Sequence, residues 1–244
     1  MKVDIPKLSI CVPVSISNNV QFLYLKELFN SISTQSFSDF NLIVSDDSDS
    51  RDVARLCSEL NSTSFPVEYF SAPNPGISQN LNNSVEKANG EYVKIMFQDD
   101  FFFSPNALEE IYREIKDSGH SWYLSGCNHF SQERLEFYGD FFPKTNPRLL
   151  QGHNSISSPS VVTLERKAFE KFSSKLTYLL DCEWYLRMSH KHGMPIFGRS
   201  IHVTNRVHEL QATNWAKSYL MDEILLSNMM HSEKLMGRKV CSCL

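Results

Sequence analysis

The first hundred residues alternate short apolar runs with stretches of helical period, and two of the runs end in paired aspartates. The runs are Leu8-Ser9-Ile10-Cys11-Val12-Pro13-Val14, Asn41 to Val44, Val67 to Phe70 and Tyr92 to Phe97. Their length and their β-branched and aromatic content predict buried strands. Pro13 suits the end of its strand rather than the middle. Between the runs, Ser17-Asn18-Asn19 offers a helix cap, and Phe22, Leu25, Leu28, Phe29 and Ile32 then recur at helical spacing. Further helices are expected over Val53 to Leu60 and Ser78 to Ala88, the latter stopped near Asn89-Gly90. Such alternation predicts an α/β fold with a doubly wound, mainly parallel sheet, helices on both faces and right-handed crossovers.

The second half is less regular. A helix is expected over Pro105 to Asp117, a strand over Trp122 to Cys127, and a long loop over residues 128–158, which mix Gly, Pro, Asn and aromatics. Ser160 to Leu164 reads as a short strand, and Asp181 to His192 as a helix closed by Gly193. Ile196-Phe197 and Ile201-His202-Val203 read as short edge strands, and a last helix runs from about Ala216 to Met236. We therefore expect one domain over 1–244, with a ligand-binding half at 1–105, a less regular catalytic half at 106–213, and a helix and tail at 214–244.

Composition narrows the function. The net charge of −4 argues against a nucleic-acid partner held by a basic field. No run approaches the roughly 18 apolar residues of a membrane span, and Met1 to Pro6 lacks the apolar core of a signal peptide. Cys11, Cys57, Cys127 and Cys182 are scattered and read as reduced packing residues, consistent with a cytoplasmic chain. The tail Cys241-Ser242-Cys243-Leu244 fits a prenylation pattern in form only.

Ligands of open α/β sheets bind outside the carboxyl ends of the strands, where unpaired carboxylates rarely serve packing. Asp99 and Asp100, with Gln98 beside them, offer hard oxygen ligands to Mg2+ or Mn2+. The alternative is a polar turn leading into the helix near Pro105. Asp46 and Asp47 are placed to receive N–H donors from a base or hydroxyls from a ribose, with Asp49 or Ser50 capping the next helix. Asn74-Pro75-Gly76-Ile77-Ser78-Gln79-Asn80 is a glycine turn entering a helix, a geometry that suits an anion or a plain turn alike. It lacks the Gly-Lys-Ser/Thr run of a Walker loop.

Taken in order, Ile-Cys-Val-Pro-Val, Val-Ser-Asp-Asp-Ser-Asp-Ser, Asn-Pro-Gly-Ile-Ser-Gln-Asn and Gly-Glu-Tyr-Val-Lys-Ile-Met-Phe-Gln-Asp-Asp resemble a family 2 glycosyltransferase of the GT-A fold. The resemblance covers about the first 105 residues. It implies a nucleotide-diphosphate sugar donor, a saccharide or glycolipid acceptor, and Mn2+ or Mg2+ as cofactor. Pro13 and Val14 would lie against the nucleotide, Asp46 would contact the base, and Asp99 would be the metal-binding member of a DxD-type motif. Phe97 stands where that motif has its first aspartate.

Later stretches extend the likeness. Leu179 to Arg187 resembles the segment carrying the family's general base, with Asp181 six residues before Arg187 and Glu183 as the competing carboxylate. Both also suit the positive end of a helix. Arg206-Val207-His208 resembles a late Arg-x-His pattern near the diphosphate, which would give Arg206 to phosphate and His208 to metal or phosphate. Trp184 suits either stacking on an acceptor sugar or a place in the core. Gly152-His153-Asn154 and Ser158-Pro159-Ser160 resemble an acceptor-side loop without a mechanism of their own. Leu220, Ile224, Leu225 and Met229 form an apolar face that packs on the domain or, with Lys234, Arg238 and Lys239, touches an anionic inner leaflet. Two rival functions are a sugar nucleotidyltransferase and a non-catalytic nucleotide-sugar-binding module. The first lacks a basic glycine loop at Ser15 to Asn19, and Asp99 and Asp181 speak against the second.

Overall fold

The structure, a computed structural model, describes residues 5–241, with side chains described through residue 230. The expectations on Met1 to Asp4, on Lys234, Arg238 and Lys239, and on the cysteine tail therefore lie outside the described side chains. In chain order the elements are β1 (Leu8–Val14), α1 (Asn19–Ser33), β2 (Phe40–Asp46), α2 (Asp52–Thr63), β3 (Val67–Ser71), α3 (Ile77–Glu86), β4 (Tyr92–Ile95) and β5 (Phe101–Phe102). They continue with α4 (Ala107–Ile115), β6 (Trp122–Ser131), β7 (Glu136–Phe141), β8 (Val162–Glu165), α5 (Leu180–His192), β9 (Ile196–Val207), α6 (Ala212–Ala216) and α7 (Leu220–Cys241).

One nine-stranded sheet runs in the order β3-β2-β1-β4-β8-β6-β9-β5, with β7 paired to β6. The strands β3, β2, β1 and β4 are parallel, as the alternation predicts. Beyond β4 the pairing is mixed: β8 is antiparallel to both β4 and β6, whereas β6 and β9 are parallel. All seven residues of β1 and of β2 are buried, so these strands carry apolar residues on both faces. Asn18 caps α1, its side chain accepting the N–H groups of Val20 and Gln21.

Three expectations about strands change. The run from Tyr92 forms a ladder only to Ile95, because residues 97–100 turn, with the Asp100 N–H donating to the Phe97 carbonyl at 3.1 Å. The expected loop over residues 128–158 begins instead as an antiparallel β6–β7 hairpin, irregular only after Phe141. The strands around Ile196 and Ile201 are one strand, β9, and it lies between β6 and β5 rather than at an edge. Register shifts at Leu124/Gly126 and Gly126/Cys127 let this long strand follow its neighbour, and they break the period that sequence reading relies on.

Gly90 does not close α3, which already ends at Glu86. A Cβ on Gly90 would lie 2.7 Å from the Ser9 nitrogen and 2.8 Å from the Leu8 carbonyl carbon, so this glycine is required by close approach to β1. At the far end, Leu220 and Ile224 of α7 pack on the core. Glu223 accepts the N–H groups of Thr177 (2.7 Å) and Leu179 (2.8 Å), which ties α7 to the entry of α5. Among the described residues no helix is long and apolar enough to cross a membrane.

Candidate active site

The carboxyl ends of β1 and β2 and the start of α3 meet at one end of the site. The Val14 carbonyl accepts the Asp47 N–H at 3.0 Å and the Asn80 side-chain amide at 2.8 Å. Pro13 and Val14 are both buried here. Gly76, at φ +116°, turns its N–H onto Asp47 Oδ2 at 3.1 Å, and Asn74 stands exposed in the same turn. A cavity of about 430 Å3 opens alongside, lined by residues that include Ser15, Asn18, Phe22, Asp47, Ser48 and Asp49.

The two aspartates of this end differ. Asp46 is 1% exposed. Its Oδ1 accepts from the Ser48 N–H and hydroxyl, and its Oδ2 accepts from the Tyr69 hydroxyl at 2.9 Å. Asp46 thus fixes the turn after β2. Asp47 lines the cavity, and its Oδ1 is buried without a protein partner, as is Oδ1 of Asn80. Buried acceptors without donors invite a ligand's N–H or O–H groups.

The second end is the turn between β4 and β5. Gln98 clamps it to the loop after β1, its amide accepting the Ser15 N–H at 2.7 Å and donating to the Ser15 carbonyl at 3.0 Å. Both ends of that amide are occupied by backbone, so Gln98 shapes the site rather than reaching into it. Asp99 Oδ2 lies 2.9 Å from His208 Nε2. The Leu210 N–H points at Nδ1 of the same ring at 3.2 Å, which leaves the proton of the neutral imidazole on Nε2, facing Asp99. Asp100 points the other way: it is buried, accepting the Arg206 N–H at 3.0 Å and the Ser158 hydroxyl at 3.2 Å. Burial, and then the neighbouring Asp99, hold its carboxyl well above the usual carboxylate range.

Arg206 departs from the expected phosphate contact. It is 3% exposed, donates to the Asp99 carbonyl at 3.0 Å and to Gln132 at 2.7 Å, and pairs with Glu27. The Tyr24 ring lies 4.4 Å from its guanidinium. Each guanidinium nitrogen donates to protein, so the side chain holds the Asp99 backbone in place.

The donor set fits a hard cation in one way. Asp99 and His208 are adjacent, and among the described residues no group of three or more His, Cys, Asp and Glu residues converges. Mg2+ or Mn2+ bound with few protein ligands takes the rest from phosphate oxygens and water. Asp99 suits that role. Asp100 has its oxygens engaged by protein, and His208 would have to release the Nε2 proton.

The third part is the start of α5. Asp181 Oδ2 accepts from the Asn154 amide at 2.7 Å, and Oδ1 from the Cys182 N–H at 2.6 Å. Burial pushes its carboxyl up to about 6, against the pull of these donors. Glu183 is fully buried and gripped by Arg187 through two hydrogen bonds of 2.9 and 2.8 Å. Trp184 is also fully buried, stacked on Phe172 at 4.7 Å and edge-on to Trp122 at 6.0 Å. It is a core residue and presents no face to a sugar.

Residues 154–158 join the second and third parts, since Asn154 bonds Asp181 and Ser158 bonds Asp100. Sequence reading gave this loop no mechanism, because nothing in its composition states what it touches. Lys94 was also missed as a site neighbour, hidden inside an apolar run. It is fully buried on β4, donates to the Ser160 carbonyl, and is held down to about 7 by burial, opposed by Asp100.

Comparison with known proteins gives this arrangement a family. The chain belongs to glycosyl transferase family 2, whose model matches residues 9–173. It is 33% identical over 124 residues to the GalNAc(5)-diNAcBac-PP-undecaprenol beta-1,3-glucosyltransferase of Campylobacter jejuni, a match covering 50% of this chain and 38% of that protein. It is 23% identical over 168 residues to the glycosyltransferase GlyA of Streptococcus pneumoniae, covering 69% of this chain and 23% of that protein. The matched regions are thus well under half of those relatives' lengths. In fold it resembles S. aureus TarS in complex with UDP-GlcNAc, with a TM-score of 0.67 at 18% identity over 91% of this chain and 66% of that one. It also resembles the mannosyltransferase PcManGT of Pyrobaculum calidifontis in complex with GDP-Man and Mn2+, with a TM-score of 0.62 at 13% identity over 93% of this chain and 65% of that one. The sheet is therefore of the GT-A type.

Proposed function

We propose that this chain is an inverting, metal-dependent glycosyltransferase that moves a sugar from a nucleotide-diphosphate sugar to an acceptor hydroxyl. The observation that carries the reading is the 154–158 loop, which bonds Asp181 at one end and Asp100, neighbour of Asp99, at the other. A base and a diphosphate-side carboxylate are thereby held on one frame. The open acceptors of Asp47 and Asn80 suit the nucleoside.

In this reading Asp181 takes the proton of the acceptor hydroxyl as that oxygen attacks the anomeric carbon. The bond from that carbon to the diphosphate oxygen breaks, and the nucleoside diphosphate leaves with the electron pair. A bound Mn2+ or Mg2+ supplies Lewis-acid stabilisation of the leaving charge. Asp99 would hold it, joined by His208 once Nε2 has given up its proton, with Arg206 fixing the Asp99 backbone. Glu183, locked by Arg187, offers no second carboxylate for a covalent intermediate, which favours one displacement and inversion.

The C. jejuni relative is named for a polyprenol-diphosphate-linked saccharide. By extension we assign a saccharide or glycolipid acceptor of bacterial surface polysaccharide assembly, on the cytoplasmic face. A screen of nucleotide-sugar donors with Mn2+ and Mg2+ tests the reading. One donor class is expected to raise the melting temperature only with metal; a ligand at a hundred times its Kd contributes about 2.7 kcal/mol. Asp99→Ala is expected to abolish that shift and to lower transfer by about a hundredfold or more. A metal-dependent shift that survives Asp99→Ala would remove the metal assignment.

A further inference from the structure

The loop joining the two halves of the site is over-determined. Ser157 sits at φ 93°, a left-handed conformation unfavourable for a residue with a side chain. Its N–H donates to Asn154 Oδ1 at 3.0 Å, and its carbonyl accepts from the Tyr185 hydroxyl at 3.0 Å and the Asn154 amide at 3.1 Å. Its hydroxyl accepts from Asn205 at 2.8 Å and from the Cys127 thiol at 3.3 Å. Strain of this kind persists where surroundings impose it, and it concentrates at functional sites.

The turn fixes the amide of Asn154. Its Oδ1 accepts the N–H groups of Ile156 (2.9 Å) and Ser157 (3.0 Å), so that end is the oxygen. The NH2 end must then face Asp181 Oδ2, 2.7 Å away. The Cys182 N–H holds the other oxygen, so Asn154 is the donor to this carboxylate that comes from outside α5.

We propose that Asn154 is a positioning residue for the transfer reaction, turning Asp181 toward the acceptor hydroxyl and stabilising its ionised form, with the strained turn at Ser157 keeping the amide rigid. The proposal rests on Asp181 being the base. The titratable groups facing Asp181 are Cys182 and Tyr185 on its own helix, with Cys127 of β6 beyond Tyr185. Burial raises all three, so they stay neutral and none supplies a compensating charge. The amide donor is therefore the contact outside α5 that favours the carboxylate.

Asn154→Asp keeps an acceptor for the Ile156 and Ser157 N–H groups but adds a like charge beside Asp181, whereas Asn154→Ala removes the donor without adding charge. Carbon-13 carboxyl NMR of the full chain reads the titration without substrate, the Asp181 signal being assigned by its loss in Asp181→Asn. The Asp181 midpoint is expected to rise by about one pH unit in Asn154→Ala, from loss of the donor alone, and further in Asn154→Asp, where the new carboxylate adds repulsion. A loop that had merely come apart would solvate Asp181 and lower its midpoint. A lowered or unmoved midpoint in Asn154→Ala overturns the proposal. In turnover, Asn154→Asp is expected to lower kcat about tenfold with the donor KM unchanged. Unchanged kcat overturns the positioning role even if the midpoint moves. Full transfer by Asp181→Asn would instead remove the base reading itself, while the titration coupling of the two residues would still be measured.

Discussion

Asp181 and Glu183 are two residues apart, yet their surroundings give them opposite roles. Asp181 has no cationic partner at its oxygens, and burial raises its carboxyl to about 6. A base works ionised, so kcat is expected to rise with pH through about 6 and level off above it, read from a pH–rate profile at saturating donor. Glu183 forms a buried pair with Arg187. Removing one partner leaves a buried charge uncompensated, so Glu183→Ala is expected to destabilise the chain by about 3–5 kcal/mol in chemical denaturation. A stable Glu183→Ala variant that had lost only transfer would return the base role to Glu183. The residue types here were legible, since carboxylates at a helix start and at strand ends stand out in sequence. Their partners were not. Arg206 and Trp184 carry the chemistry of phosphate and sugar contact, but a cage of Glu27, Gln132 and Tyr24 claims the first and Phe172 and Trp122 the second. Those contacts join positions far apart in the chain, which no local pattern encodes.

At the level of elements, the strands and helices of the first half were legible because each has a regular period and a buried face. Asn18 as the cap of α1 was legible for the same reason, being a bond within one turn. Gly90 marks where that reasoning stops. It resembles a helix stop in sequence, but its function is to let the segment before β4 approach β1. Gly90→Ala is expected to cost about 1–3 kcal/mol in a urea or guanidinium melt, since the nearest neighbours include backbone that cannot rotate away. A loss below about 0.5 kcal/mol would show that β1 yields easily. The β6–β7 hairpin and the full length of β9 were not legible. The exposed run of β7 and the register shifts along β6 and β9 leave no two-residue alternation to read.

For the molecule as a whole, α7 divides its apolar residues between two faces. Leu220 and Ile224 turn inward, whereas Met221, Leu225 and Met229 are 71%, 66% and 61% exposed and form a stripe at four-residue spacing. The weak peripheral membrane contact expected from the sequence would use this outer stripe. Flotation with anionic vesicles is expected to recover the chain, and Leu225→Glu with Met229→Glu to release it; equal recovery of both would dismiss the contact. The sequence by itself determined the parallel half of the sheet, the strand-end carboxylates and the family likeness, because these rest on periods and motifs local to the chain. Only the tertiary structure decided which carboxylates are free. Asp46, Asp100 and Glu183 accept donors from Tyr69, Arg206 and Arg187, and Asp181 from Asn154 and Cys182, whereas Asp47 retains a buried oxygen without a protein partner. A carboxylate's role is set by what its oxygens still lack after folding, and that is known only once the chain has closed around it.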